Sequence, residues 1–141
     1  MRFSALAVSV ALLGLVLPAG SSSARPAQEP GWYSAAQADS GADGYYHRCA
    51  ACHGVHLEGH KGMALAGPKF FGRYGGKQLS KVWLDISAKM PPSAPGSIPQ
   101  PEALNILAYI FRQNGLPGGA ALSVATPDLA RVIPSKPPTK P

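Results

Sequence analysis

Cysteine is scarce in this chain: there are two among 141 residues, Cys49 and Cys52, in one four-residue stretch. No second cysteine pair is present to complete a zinc centre, and no strand–helix–strand pattern surrounds the pair as a thioredoxin-like dithiol requires. Alternating, strand-like periodicity is hard to find anywhere, which argues against a sheet. Basic runs are missing as well. The 13 lysines and arginines outnumber 7 acidic residues, for a net charge of +6, but they are scattered and form no stripe of the kind that binds nucleic acid. Such a charge is either simply solvated or offers a docking face to an acidic protein. The apolar run at residues 5–17 is shorter than the about 20 residues that span a bilayer.

That run follows Arg2 and precedes Ser22-Ser23-Ala24, the pattern of a cleavable export signal over residues 1–24. The remainder has the length of one domain with one core. The expected address is the periplasm, with no membrane span in the mature chain.

Cys49-Ala50-Ala51-Cys52-His53 has the spacing that attaches c-type haem. Two thiols three apart on a helical turn project to one edge of a porphyrin, and the next residue brings an imidazole under the iron. A redox dithiol and a structural disulfide are the other readings. With both cysteines in one motif followed directly by histidine, one covalent haem c is the expectation. An iron that carries electrons needs a second strong axial ligand, and Met90 is the candidate. Pro91 forces it into extended backbone after a helix end, and a thioether favours ferrous iron. The alternative is a methionine that only fills the core. Met63, His56 and His60 are rival ligands, but the two histidines follow His53 so closely that they would double back under the same ring face. With His47 they read as exposed surface groups.

Residues 25–33 read as a leader arm, 34–117 as the haem-binding domain and 118–141 as a proline-rich tail, partly packed and then disordered. Ser34 with Gln37 forms a capping box that starts a helix running to the cysteines. Gly41 and Gly44 weaken that helix, each by up to about 1 kcal/mol, and Gly41 needs a reason: close approach of another helix, with Tyr45 and Tyr109 packing across the crossing. Residues 54–76 read as a loop wrapping the haem. Residues 79–89 and 102–114 carry apolar positions at helical spacing, and Asn114-Gly115 closes the second. Thr126-Pro127-Asp128 can cap one short turn. Trp83, Phe70, Phe71 and Tyr74 are expected to line the haem pocket.

These residues resemble those of class I monohaem cytochromes c: Gly41 and Tyr45 on an N-terminal helix, CAACHG at 49–54, Met90-Pro91, and Tyr109 on a C-terminal helix. A narrower resemblance is to cytochrome domains that accompany quinoprotein alcohol dehydrogenases. It rests on Leu57-Glu58-Gly59, Met90-Pro91-Pro92 before Pro95-Gly96-Ser97, Ala108-Tyr109-Ile110 and Asn114-Gly115-Leu116-Pro117. The resemblance implies an all-α, cytochrome c-like fold wrapped around one haem. It also implies electron transfer, Cys49 and Cys52 as attachment points, and His53 and Met90 as axial ligands. Such proteins usually place a proline carbonyl against the haem histidine. Here that position falls at Met63, with Pro68 later, so either backbone oxygen could serve.

The expected role is a periplasmic carrier of single electrons from a dehydrogenase to an oxidase or another cytochrome. Two alternatives are a dedicated cytochrome subunit of a dehydrogenase complex, and a haem enzyme such as a peroxidase or a haem sensor. The enzyme reading is poorly supplied, because residues 88–99 hold no titrating group except Lys89.

Overall fold

The computed structural model describes residues 31–138; the expected export signal, the first part of the leader arm and the last three residues of the tail lie outside them. Helices follow one another in the order α1 (Ala35–Arg48), α2 (Ala50–His53), α3 (Gly67–Tyr74), α4 (Leu79–Lys89), α5 (Gln100–Gln113) and α6 (Thr126–Leu129). Among the described residues the only ladder contact is one isolated antiparallel bridge, Gln78 to Val132. The fold is all-α.

The capping box forms as its residue types require. Ser34 accepts the Gln37 amide at 3.2 Å, and the Gln37 side chain accepts the Ser34 amide in return. The α1–α5 crossing organises the core. A Cβ on Gly41 would collide with the Asn105 carbonyl, so the two backbones meet where only hydrogen fits. Tyr45 and Tyr109 pack across the crossing with ring centroids 5.3 Å apart. Ile106, Leu107 and Phe111 are buried along α5, each contributing about 1.5–3 kcal/mol by leaving water.

Three expectations need correction. Residues 54–76 are not all loop: α3 occupies the end of that stretch, with Pro68 in its first turn and Phe70, Phe71 and Tyr74 buried on one face. α5 begins at Gln100, because Pro101 is also tolerated in a first helical turn, where its missing N–H has no partner to lose. The leader arm is packed at its end. Trp32 and Tyr33 are buried, the Trp32 amide donates to the Pro117 carbonyl at 2.8 Å, and the Tyr33 hydroxyl donates to the Leu116 carbonyl at 3.0 Å. In the tail, whose first part was expected to pack, Gln37 exchanges two hydrogen bonds with the Leu122 backbone, and Ile133 is fully buried, bonded to Lys77 and Gly76. The short turn predicted at Thr126 is α6.

No described helix is long and apolar enough to cross a membrane.

Candidate haem site

α1 stops at Arg48 because Cys49 leaves the helical region, at φ −124° and ψ −35°, and a fresh single turn, α2, carries the rest of the motif. The Cys52 and His53 amides both return to the Cys49 carbonyl, at 3.0 and 2.8 Å, which holds the two sulfurs and the imidazole on one turn. Gly54 ends the turn at φ +83°, and its carbonyl accepts the buried Tyr45 hydroxyl at 2.7 Å.

The imidazole is fixed from behind. His53 Nδ1 lies 2.7 Å from the Met63 carbonyl, and a carbonyl can only accept, so Nδ1 carries the proton and Nε2 is left with its lone pair. This resolves the choice between Met63 and Pro68 in favour of Met63. Gly62 permits it, since a Cβ there would sit 2.7 Å from the imidazole Cε1. The Met63 loop is itself tied down by Asn114, whose amide donates to the Leu65 and Ile110 carbonyls and accepts from the Gly67 amide, all within 2.9 Å. In the sequence Asn114 signals only a helix stop, and nothing local marks its side chain as the tie between α5 and this loop.

Met90 is extended, at φ −110° and ψ 150°, as the following proline requires. Three adjoining clefts open between α2 and the Met90 segment, and they share just two residues, His53 and Met90. Cys49 and Cys52 each border two of them, with one cleft common to both. The cleft reaching into the core, together with the open space at its mouth, spans about 570 Å³ and is walled mainly by aliphatic side chains, among them Ile86, Ile98, Ile106 and Ile110. Of the four aromatics expected there, only Tyr74 lines it. Phe70 and Phe71 instead pack edge-to-face on each other, the Phe70 ring centroid 6.3 Å from that of Phe111, and half-buried Trp83 packs on the core. His47, His56 and His60 are exposed and line none of the three clefts.

One wall of the deep cleft is charged, and sequence reasoning missed it. Asp85 is buried, with Lys81 Nζ at 2.7 Å, Lys89 Nζ at 2.6 Å, Arg73 at 3.3 Å and the Tyr74 hydroxyl at 3.2 Å. Burial pushes this carboxyl up, but hydrogen bonds from Lys81, Lys89 and Tyr74 outweigh it and hold it below the usual carboxylate range. Lysines one turn to either side of Asp85 were visible in the sequence; the contribution from α3 was not.

The thiols are unpaired. Burial, then the Glu102 carboxylate, pushes the Cys49 thiol up to about 11 against the opposing effect of Arg48. A redox dithiol needs the reverse, a thiol lowered toward neutrality. Among the described residues, no three His, Cys, Asp or Glu side chains converge as a metal centre of their own would require. An aliphatic cleft, two thiols at its rim, an imidazole nitrogen directed by its backbone partner and a thioether on the extended segment after α4 fit haem c.

A comparison with protein-family models matches residues 36–110 to the family described as cytochrome C oxidase, cbb3-type, subunit III. Comparisons with curated proteins and with solved structures gave no match. The family match agrees with the resemblance to class I cytochromes c and lends nothing to the narrower one to alcohol dehydrogenase cytochromes. The matched residues run from α1 through the CxxCH turn and Met90 to Ile110 on α5, just over half of the chain, and the protein therefore belongs to this family of cytochrome c domains, which implies haem c and electron transfer.

Proposed function

We propose that the protein is a periplasmic electron carrier with one haem c, attached through Cys49 and Cys52 and ligated by His53 and Met90. The observation that carries this reading is the sharing of all three clefts by His53 and Met90 alone. Haem c supplies a one-electron iron couple when bound. The chain's own residues do the remaining work. Met63 fixes the tautomer of His53 and raises the basicity of Nε2. Pro91 presents the Met90 thioether, and the aliphatic wall keeps water from the deep side of the cleft. Residues 1–24 direct export. A dehydrogenase supplies the electron, and an oxidase or another cytochrome takes it.

The matched family is named for an oxidase subunit, which favours a second reading: a dedicated subunit in place of a free shuttle. Stable copurification with a larger enzyme separates that reading from fast, salt-sensitive reduction by several donors.

The test is an absorption spectrum of the exported protein, carried to the far red where a methionine–ferric haem pair absorbs weakly. The expected result is a low-spin spectrum with that band, lost in Met90→Ala and kept in Met63→Ala. A high-spin wild type, or a band lost in Met63→Ala instead, overturns the ligation.

A further inference from the structure

Apart from the Cys49–His53 turn, the deep cleft is walled by apolar side chains except along one side, where Arg73, Tyr74, Asp85 and Lys89 meet. The charges there do not balance. Asp85 is one carboxylate, and it faces three cations, Arg73, Lys81 and Lys89, with the Tyr74 hydroxyl as a further donor. Two of these cations, Arg73 and Lys89, line the cleft, and Lys81 does not. Their donors are far from exhausted. Arg73 gives Nε to the Tyr74 hydroxyl and Nη2 to Asp85, which leaves three of its five N–H groups. Lys89 gives one of three to Asp85. Asp85 thus orients two cations at the cleft without using them up.

Haem carries charge at one edge only, as two propionate carboxylates. An aliphatic wall cannot receive them, because an unpaired carboxylate out of water is strongly disfavoured. We infer that Arg73 and Lys89 receive the haem propionates, with Asp85 and Tyr74 as positioning residues that aim them; this rests on the haem reading above. Arg73 is the main contact, since its planar fork matches a carboxylate with two parallel hydrogen bonds. It also borders the neighbouring open cleft beside Lys61, so it stands where the deep cleft meets solvent. This places the propionate edge of the haem between α3 and the end of α4, opposite the thioether edge at α2.

The propionate-bending band in the resonance Raman spectrum of the ferric holoprotein reads these hydrogen bonds directly. Arg73→Gln is expected to shift that band toward its position for a free propionate, and Asp85→Asn to shift it the same way. Lys81→Gln, which touches Asp85 but not the cleft, leaves it in place. The far-red methionine band, retained in each variant, confirms an intact site. An unmoved band in Arg73→Gln, or an equal shift in Lys81→Gln, overturns the assignment. If Arg73→Gln yields no holoprotein, Arg73→Lys keeps the charge but loses the fork: a smaller shift in the same direction supports the assignment and none refutes it. A wild-type pyridine haemochrome spectrum without covalent haem would sink the haem reading itself, whereas covalent haem with an unmoved band sinks only this inference.

Discussion

Alanine at Gly41 should be costly and alanine at Gly44 nearly neutral, although the two glycines lie one turn apart on the same buried face of α1. Both substitutions gain about 1 kcal/mol of helix propensity. At Gly41 the new methyl would overlap the Asn105 carbonyl and lie 3.0 Å from the Ile106 nitrogen. Those are backbone atoms of α5, and no rotamer change can move them. The helices must separate, which loosens the Tyr45–Tyr109 contact, so the cost falls at the upper end of the overpacking range, about 3 kcal/mol. The net loss is about 2 kcal/mol, or roughly 10 °C in melting temperature for a domain of this size. At Gly44 the methyl meets side-chain carbons instead, Ile106 Cγ1 at 3.1 Å and Glu102 Cγ at 3.6 Å. Both can yield, and the cost and the propensity gain nearly cancel. Guanidinium unfolding of the two holoproteins, followed by far-ultraviolet circular dichroism, makes the comparison. A Gly41→Ala variant within about 0.5 kcal/mol of wild type, or a Gly44→Ala variant that loses as much as Gly41→Ala, would refute the reasoning.

Two further predictions concern the site. The folded-state pKa of Asp85 is depressed, so its contribution to stability is fully present above the ordinary carboxylate range and is lost as pH falls through that range toward the folded value. Asp85→Asn should therefore cost roughly 1–2 kcal/mol at pH 7, discounted because its lysine partners are about half exposed, and the gap to wild type should narrow below about pH 4. Denaturant titrations at pH 7 and pH 3 decide it, and a gap independent of pH contradicts the charge argument. Gly62→Ala should push on the His53 ring, lower stability by about 1–3 kcal/mol and speed exchange of the Nδ1 proton in NMR spectra; wild-type exchange would show that Gly62 is not confining the imidazole.

Local chemistry was legible in the sequence and long-range closure was not. Ser34 and Gln37 announce a helix start three residues apart, and Pro91 sets the backbone of Met90 directly. The Tyr45–Tyr109 contact was also readable, because Gly41 signals a crossing that some aromatic on the C-terminal helix must fill. α3 was hidden by the glycines and proline around it, although Phe70, Phe71 and Tyr74 keep helical spacing within it. The burial of Trp32, Tyr33 and Ile133 is not legible locally for one reason: their backbone and side-chain partners lie dozens of residues away, at Leu116 and Pro117 for the first two and at Lys77 for the third. The Met63 acceptor could be narrowed to two carbonyls only, since a backbone oxygen leaves no residue-type signature. The charged wall needed α3 and α4 side by side.

The pinning of the first described residues by the last ones sets an order of assembly. Trp32 waits for Pro117, Gln37 for Leu122, and the α3–α4 corner for Ile133. α1 has its principal partner in α5. The Trp32 and Gln37 contacts join residues 85 positions apart, and the third spans from residues 76–77 to 133, whereas the Cys49–His53 turn closes on bonds within five residues. The turn that carries both thiols can therefore form before the core that walls its cleft, and the distant segments complete that core last.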